Sequence, residues 1–357
     1  MKALALIESP NHVCYRYRIE AFAWALAERG IMLEVAPMGH GLVGRVRRLL
    51  ATRRADVVIL QRKLLPLWQL RLLRQLAPRL IYDVDDSLFQ RDSYSHKGAD
   101  SWARLAGFWA TLYAADAVTV GNNYLKSRAD AYVDSHKVHV VPTCVDLSRY
   151  PRAEHKRGPA TAKLVWIGQR STLPSLGLAQ EQLAAANCRL PGLELRVICD
   201  HFPDLEGVSV VQRTWCSESE TAELADADIG INWLPNDSWS RGKCGLKVLQ
   251  YMAAGLPVVA NPVGMNREMI VHGQTGLLAS TPDEWTRAIE RLASSPQLRQ
   301  EMGNRGRRLV EQRFGVARWA PRFADIVEQV ARFGSVKPTP DSVVEPVEQT
   351  PTTLAVH

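Results

Sequence analysis

Several features that would declare a function outright are missing from this sequence. The six cysteines, Cys14, Cys144, Cys188, Cys199, Cys216 and Cys244, are scattered and form no CxxC pair. That spacing argues against a zinc site or a disulfide framework and points to reduced, cytoplasmic thiols. No run approaches eighteen consecutive apolar residues, so no spanning helix is expected. The N-terminal stretch MKALALIESPNHVCYR has one early lysine and a short apolar run ending at Glu8, with no small-residue cleavage site. It reads as a first strand, not a signal peptide. No GxGxxG follows that strand, which disfavours a dinucleotide-dependent dehydrogenase. Acidic residues are scarce between positions 45 and 79, where Asp56 stands alone against ten Lys and Arg residues. No nucleic-acid-binding motif or aromatic interleaving accompanies that charge, so nucleic acid is not expected as a partner.

What is present is a repeated strand–helix alternation over 357 residues, a length that suggests two domains. Strands are expected at 2–8, 31–36, 56–60, 79–84, 117–120 and 137–141. Helices are expected at 16–29, around 66–76 and at 101–115. Pro142, Pro151 and the polar run 152–163 interrupt the pattern, which restarts with strands at 163–168, 193–199, 208–211, 228–233 and 256–260. Helices near 174–187, 218–226 and 245–254 lie between them. The predicted fold class is α/β, with two Rossmann-like doubly wound domains facing each other across a cleft. The expected boundaries are 1–150 for the first domain, 151–162 for a linker and 163–315 for the second domain. A helix at 316–333 is expected to cross back to the first domain, with a disordered tail over 334–357.

The most informative segment runs from Asp237 to Ala279. Gly242 and Gly245 bracket Lys243 just before an apolar helix containing Leu246, Leu249, Met252 and Ala253. A glycine turn entering a helix presents unpaired N–H groups and the positive end of the helix dipole, a receptor for a diphosphate. Lys243 and Lys247, one turn apart, would add positive charge. The bland alternative is a basic first turn, although helix starts favour acids. Glu268 opens the next helical piece, either to hold ligand hydroxyls or as an ordinary helix-start charge. In the first half, Asp83, Asp85 and Asp86 end a strand in LIYDVDD. Turn capping is one reading, and a DxD site for a hard cation is another. Arg16 and Arg18 follow the first strand, where one is expected to face phosphates or an anionic ligand. Asn122 follows a later strand and is either a site-edge residue or an Asx turn.

At these residues the chain resembles the retaining glycosyltransferases that include sucrose synthase and bacterial polysaccharide and mannosyl transferases. The likeness rests on GLKVLQYMAAGLPVVANPVGMNREMIVHGQTGLLA, on VHVVPTCVDLSRY at 138–150 and on KLVWIGQRST at 163–172. QRKLLP and LIYDVDDSLF extend it through the first half. The resemblance implies a two-domain GT-B fold, a nucleoside diphosphate sugar as donor, retained anomeric configuration and no required metal. It also implies an acceptor-side role for Asp85 or Asp86. Two departures stand out. The family's paired glutamates, eight positions apart, correspond here to Gly242 and Gln250. Glutamine can still bond ribose hydroxyls, but without charge assistance. Lys243, Glu268 and Asn266 are the candidates to reorganise around the gap at Gly242. The family's Arg/Lys pair after the first donor-domain strand is reduced to Arg170, which follows Gly168 and Gln169. Its planar guanidinium suits two phosphate oxygens.

The expected reaction moves a sugar from that donor to a glycan or lipid-linked acceptor. Its catalysis would rest on fixed cations and N–H groups around the departing diphosphate. Asp85, Asp86, Arg170, Lys243 and Glu268 are the catalytic candidates. Arg16, Gly168, Gly245, Lys247, Gln250 and Asn266 join Arg170 and Lys243 as donor-binding candidates. A nucleotide-sugar epimerase or phosphorylase, or a noncatalytic nucleotide-binding module, would use the same layout. The basic stretch 45–79, interleaved with Leu42, Val43, Val46, Leu49 and Leu50, suggests a peripheral position on an anionic membrane surface.

Overall fold

The computed structural model describes residues 1–39, 41–158 and 161–336. Of the expected tail, residues 337–357 lie outside the described residues. Its start is placed: Gly334 closes the last helix with φ 72°, and Val336 is buried. Of the expected linker, residues 159 and 160 are likewise outside.

The chain divides into two compact units. The first comprises residues 1–145, 237–244 and 314–336, and the second comprises 146–236 and 245–313. The second therefore departs from a continuous 163–315, because 237–244 groups with the first unit. The Asn122 amide donates there to the carbonyls of Arg241 (3.3 Å) and Lys243 (3.1 Å), and the Ser87 hydroxyl donates to the Ser238 carbonyl.

The first unit is built on β1 (Lys2–Ile7), β2 (Met32–Pro37), β3 (Val57–Gln61), β4 (Leu80–Val84), β5 (Ala117–Val120) and β6 (Val138–Val140). All are parallel, in the order β2-β1-β3-β4-β5-β6. β3 and β4 are buried along their whole length, as a parallel sheet covered on both faces requires. Alternate residues serve opposite faces. Leu4, Leu6, Val58 and Leu60 pack under Leu70, Leu73, Phe108 and Leu112. Ala3, Ala5, Val57 and Ile59 pack under Phe22, Trp319, Phe323 and Val327. The final helix Val316–Phe333 thus completes the first unit's core, with Phe323 centred 5.2 Å from Phe22.

The second unit repeats the plan with β7 (Lys163–Ile167), β8 (Glu194–Cys199), β9 (Val210–Thr214), β10 (Ile229–Asn232), β11 (Val258–Ala260) and β12 (Gly276–Leu278). These are again all parallel, ordered β12-β11-β10-β7-β8-β9. Each unit is a Rossmann-like α/β layer structure. The short edge strand β12 carries no periodicity and is not legible in the sequence.

The expected helix 16–29 is broken. A helix runs over Val13–Arg18, a tight turn over Glu20–Phe22, and a second helix over Ala23–Glu28. The break lets Arg18 and Phe22 both point inward. Arg18 is fully buried and forks onto Asp83 at 2.6 and 3.0 Å, with a further bond to the Val141 carbonyl. Thr119 and Gln61 donate to the same carboxylate. Asp83 and Arg18 therefore join the sheet to the helix layer, and both are buried. Removing one partner of such a pair strands a buried charge. Arg18→Met should lower the unfolding free energy of the first unit by about 3–5 kcal/mol, read from urea denaturation; an unchanged midpoint would contradict this account.

Candidate functional site

In both sheets the strand order reverses beside the first strand, between β1 and β3 in one unit and between β7 and β10 in the other. At a reversal the following helices leave on opposite faces, so the carboxyl ends of those strands are left uncovered, and open α/β sheets bind ligands there.

In the second unit, β7 ends in Gly168, Gln169 and Arg170. A Cβ at Gly168 would fall 2.2 Å from the Trp166 ring and 2.6 Å from Thr172 Oγ1, so only glycine fits. The Gln169 N–H donates to Thr172 Oγ1 at 3.1 Å, and the Arg170 N–H donates to Asp200 Oδ1 at 2.9 Å. These bonds shape a cavity of about 660 Å³ lined by Gly168, Gln169, Arg170, Ser171, Asp200 and Trp215. The Arg170 side chain is exposed and has no ion pair among the described residues.

The helix Leu246–Ala253 starts beside this turn. Its cap, Gly245, has φ 69°, and a Cβ there would meet Met269 Sδ at 2.6 Å. The left-handed backbone and the close approach both demand glycine. The Ile167 N–H donates to the Tyr251 hydroxyl at 3.1 Å, which ties the helix to the end of β7. Lys247 Nζ lies 5.0 Å from the centre of the Trp166 ring, the same ring that Gly168 abuts. The glycine turn, the helix start and Lys247 are thus brought together, and the helix start is half-buried, not enclosed in the core. Glu268, on the helix Met265–Met269, is half-buried with no carboxylate partner among the described residues, and burial raises its pKa. Gln250 is buried within the helix.

Asn266 is placed differently from expectation. It is fully buried; its amide donates to the Asn261 carbonyl (3.1 Å) and accepts from Asn232 Nδ2 (2.7 Å). Asn261 in turn exchanges hydrogen bonds with the backbone of Leu234. These amides brace the ends of β10 and β11, so Asn266 is committed to the scaffold.

In the first unit the reversal point carries a charge cluster. Arg62, just past β3, donates to Asp85 Oδ1 at 2.7 Å and to Asp86 Oδ2 at 3.0 Å. Arg62 holds φ 55°, a left-handed conformation uncommon outside glycine and found often at functional sites. Burial alone would raise the Asp85 pKa, but Arg62 and Arg18 outweigh it and hold the carboxyl below its ordinary value. Arg62 Nη1 also reaches Cys14 Sγ at 2.9 Å, and His12 caps the helix carrying Cys14. Glu8 and Lys63 pair across the ends of β1 and β3 at 3.2 Å. With a guanidinium bridging both carboxylates, Asp85 and Asp86 do not make an open cation site. Among the described residues no group of three His, Cys, Asp or Glu is arranged to hold a metal.

Lys243 belongs to this cluster. Its Nζ lies 3.0 Å from Asp86 Oδ2 and 3.4 Å from the centre of the Trp239 ring. The expectation was that Lys243 and Lys247, one turn apart, would add positive charge together; Lys243 precedes the helix and groups with the first unit. Gly242 sits equally tightly: a Cβ would fall 2.1 Å from Ser87 Oγ and 2.9 Å from Ser87 N. A glutamate has no room there, which gives the departure from the family pattern a packing cause. Asn122 caps the helix Asn123–Asp130 through Leu125 N (2.8 Å) while its amide clamps 237–244. Arg16 is half-buried with its guanidinium 5.1 Å from the Tyr17 ring centre. Sequence reasoning missed Arg62, His12, Ser87 and Trp239 as members of a site. For Arg62 the available signal was its place at the end of an apolar strand, masked by nine other cations in the same stretch.

Residues 234–309 match the family model described as Glycosyl transferases group 1. The D-inositol 3-phosphate glycosyltransferase of Rhodococcus erythropolis is 25% identical over 186 residues, which are 46% of this chain and 42% of that protein. The GDP-Man:Man(3)GlcNAc(2)-PP-Dol alpha-1,2-mannosyltransferase of Dictyostelium discoideum is 26% identical over 51% of this chain and 32% of its own length. The matches thus span less than half the length of these curated relatives. Among solved structures, sucrose-phosphate synthase from Thermosynechococcus elongatus superposes with a TM-score of 0.73 at 18% identity, covering 92% of this chain and 98% of that one. Anabaena HepE, solved in complex with UDP and glucose, gives a TM-score of 0.68 at 15% identity, covering 92% and 100%. Similarity at this identity shows a common fold of two Rossmann-like domains. The chain thus has a fold of two Rossmann-like α/β domains of the GT-B kind, and residues 234–309 are similar to the group 1 glycosyl transferases.

Proposed function

We propose that this protein transfers a sugar from a nucleoside diphosphate sugar to a glycan or lipid-linked acceptor, with retention of anomeric configuration. The observation that carries the reading is the convergence, at the second sheet's reversal point, of the Gly168–Arg170 turn, the Gly245 helix start and Lys247. A diphosphate leaving group gathers negative charge as the anomeric bond breaks, and fixed N–H groups and cations lower that barrier. Arg170 supplies a planar fork, Lys247 a point charge and the helix start its unpaired amides. Trp215 offers the cavity a flat apolar wall on which a base or sugar ring can rest. Glu268 is assigned to the donor's hydroxyls and Gln250 to its ribose. Asp85 and Asp86, oriented by Arg62 and Lys243, are assigned to the acceptor side. Names among the matched proteins, including a GDP-mannose-dependent enzyme and a UDP-bound one, support a nucleotide-linked donor.

A thermal-shift screen of UDP-, GDP-, dTDP- and ADP-sugars tests the donor assignment. One nucleotide class should stabilise the protein, and Arg170→Ala should shrink that shift and cost roughly 10²–10³-fold in kcat. If no nucleotide sugar raises the melting temperature, the donor site is misassigned. Strong stabilisation without any transfer to glycan or lipid-linked acceptors would instead support a noncatalytic nucleotide-binding module.

Glu268 gives a second prediction. Burial disfavours its carboxylate, so the folded state holds the proton to higher pH than the unfolded chain, whose value lies near 4.5. Its stabilising contribution is complete below that pH and is lost as pH rises through the folded-state value. Glu268→Gln should therefore gain stability relative to the parent as pH rises from 4.5 to neutrality, while binding the donor sugar more weakly. Melting temperatures across pH, with and without donor, check both halves; a variant that binds donor as tightly as the parent removes Glu268 from the site.

A further inference from the structure

Three helices, Gly41–Ala51, Leu67–Leu76 and Trp102–Ala114, lie side by side over one face of the first unit's sheet. Their inner faces supply Leu49, Leu70, Leu73, Phe108 and Leu112 to the core. In a parallel sheet a helix starts at the carboxyl edge of the strand that precedes it. The first turns of all three helices therefore stand at the edge that carries Arg62, Asp85 and Asp86.

Those first turns are apolar and uncovered. Val43 is 83% exposed, Leu67 66% and Trp102 85%, and Leu42 and Trp68 beside them are also exposed. Trp109 and Tyr113 continue the Trp102 stripe along its helix and are exposed as well. Behind this rim Arg45, Arg47, Arg48, Arg71 and Arg104 are exposed, and none has an acidic partner among the described residues. No helix among the described residues is long and apolar enough to cross a membrane.

We infer that this rim rests on an anionic phospholipid bilayer. Tryptophan and tyrosine settle at the headgroup level, and apolar first turns reach the acyl boundary. Arginines without internal acids find their counter-charge in lipid phosphates. Each half of the pattern needs the other: apolar side chains alone would suit any apolar surface, and cations alone any anion. The placement sets the Asp85–Asp86 edge beside the membrane, which narrows the acceptor to one held in the lipid layer. That last step rests on the proposed transfer reaction; the membrane contact does not.

The test uses the full chain, without donor or acceptor, and vesicles of phosphatidylcholine with about one third phosphatidylglycerol. The protein should sediment with these vesicles at low salt, blue-shift its tryptophan emission, and bind pure phosphatidylcholine at least about tenfold more weakly. Arg45→Ala/Arg47→Ala/Arg48→Ala should weaken binding on the order of 10²-fold, at roughly fivefold per cation, and reduce its salt dependence. Trp68→Ala/Trp102→Ala should remove most of the blue shift and weaken binding at every salt concentration. Unchanged circular dichroism shows that both variants are folded. Absence of sedimentation, or equal binding by parent and variants, overturns the inference. So does vesicle-independent self-association abolished by Trp68→Ala/Trp102→Ala, which would give the rim to a second copy of the chain. A bound protein that fails to transfer sugar would refute the reaction and leave the membrane contact standing.

Discussion

Parallel strand pairing constrains everything else in this molecule. Each sheet has its first strand inside it, β1 next to the edge strand β2 and β7 near the middle, and right-handed crossovers send the chain outward in both directions. The helices on either side of that strand then lie on opposite faces, and the carboxyl ends between them have nothing above them. The chain must turn sharply there, and it does so with special backbone: Gly168 packed under Trp166, Gly245 and Arg62 in left-handed conformations. Chemistry collects at these two points because only there can polar side chains remain outside the close-packed layers.

The two reversal points are built on different electrostatics. In the first unit the charges are balanced before any ligand arrives. Arg62 and Lys243 face Asp85 and Asp86, and Arg18 faces Asp83 one layer below. Such pairing fixes the orientation of the buried carboxylates. In the second unit the pattern is unbalanced. Arg170 is an exposed guanidinium without an acid, and Glu268 is a half-buried carboxylate without a cation. A preorganised positive turn of this kind is suited to an anionic ligand, and the uncompensated carboxylate to a hydroxylated one.

The layer plan was legible from the sequence because periodicity reports burial. Strands such as Val57–Gln61 and Lys163–Ile167 appear as short apolar runs, and the observed limits fall within a residue or two of the expected ones. The glycine-capped helix after Gly245 was legible from local chemistry alone. Pairings between distant positions were not. Nothing local to RYRIEAFAW shows that Arg18 turns inward to Asp83, at the point where the helix ends. Asn266 looks like a polar residue near a ligand, yet Asn232 and Asn261 claim its amide. Lys243 reads as phosphate-directed until Asp86, 157 positions earlier, is seen to hold it.

With Lys243 captured in the first unit, the second unit's reversal point is described by its own residues. With Lys243 bonded to Asp86 and lying on the Trp239 ring, and Gly242 pressed against Ser87, the stretch before Gly245 is held within the first unit. Within the second unit, Arg170, Lys247 and the amides that open the helix Leu246–Ala253 carry positive charge at the reversal point. A guanidinium is permanently charged, and its fork sets the direction of approach of two phosphate oxygens. The helix dipole acts only within its first turn, so it is felt by the phosphate closest to Gly245. A diphosphate spanning both would place one phosphoryl group on the helix start and the other toward Arg170. Direction, more than total charge, is then what such an arrangement would impose on a diphosphate ligand.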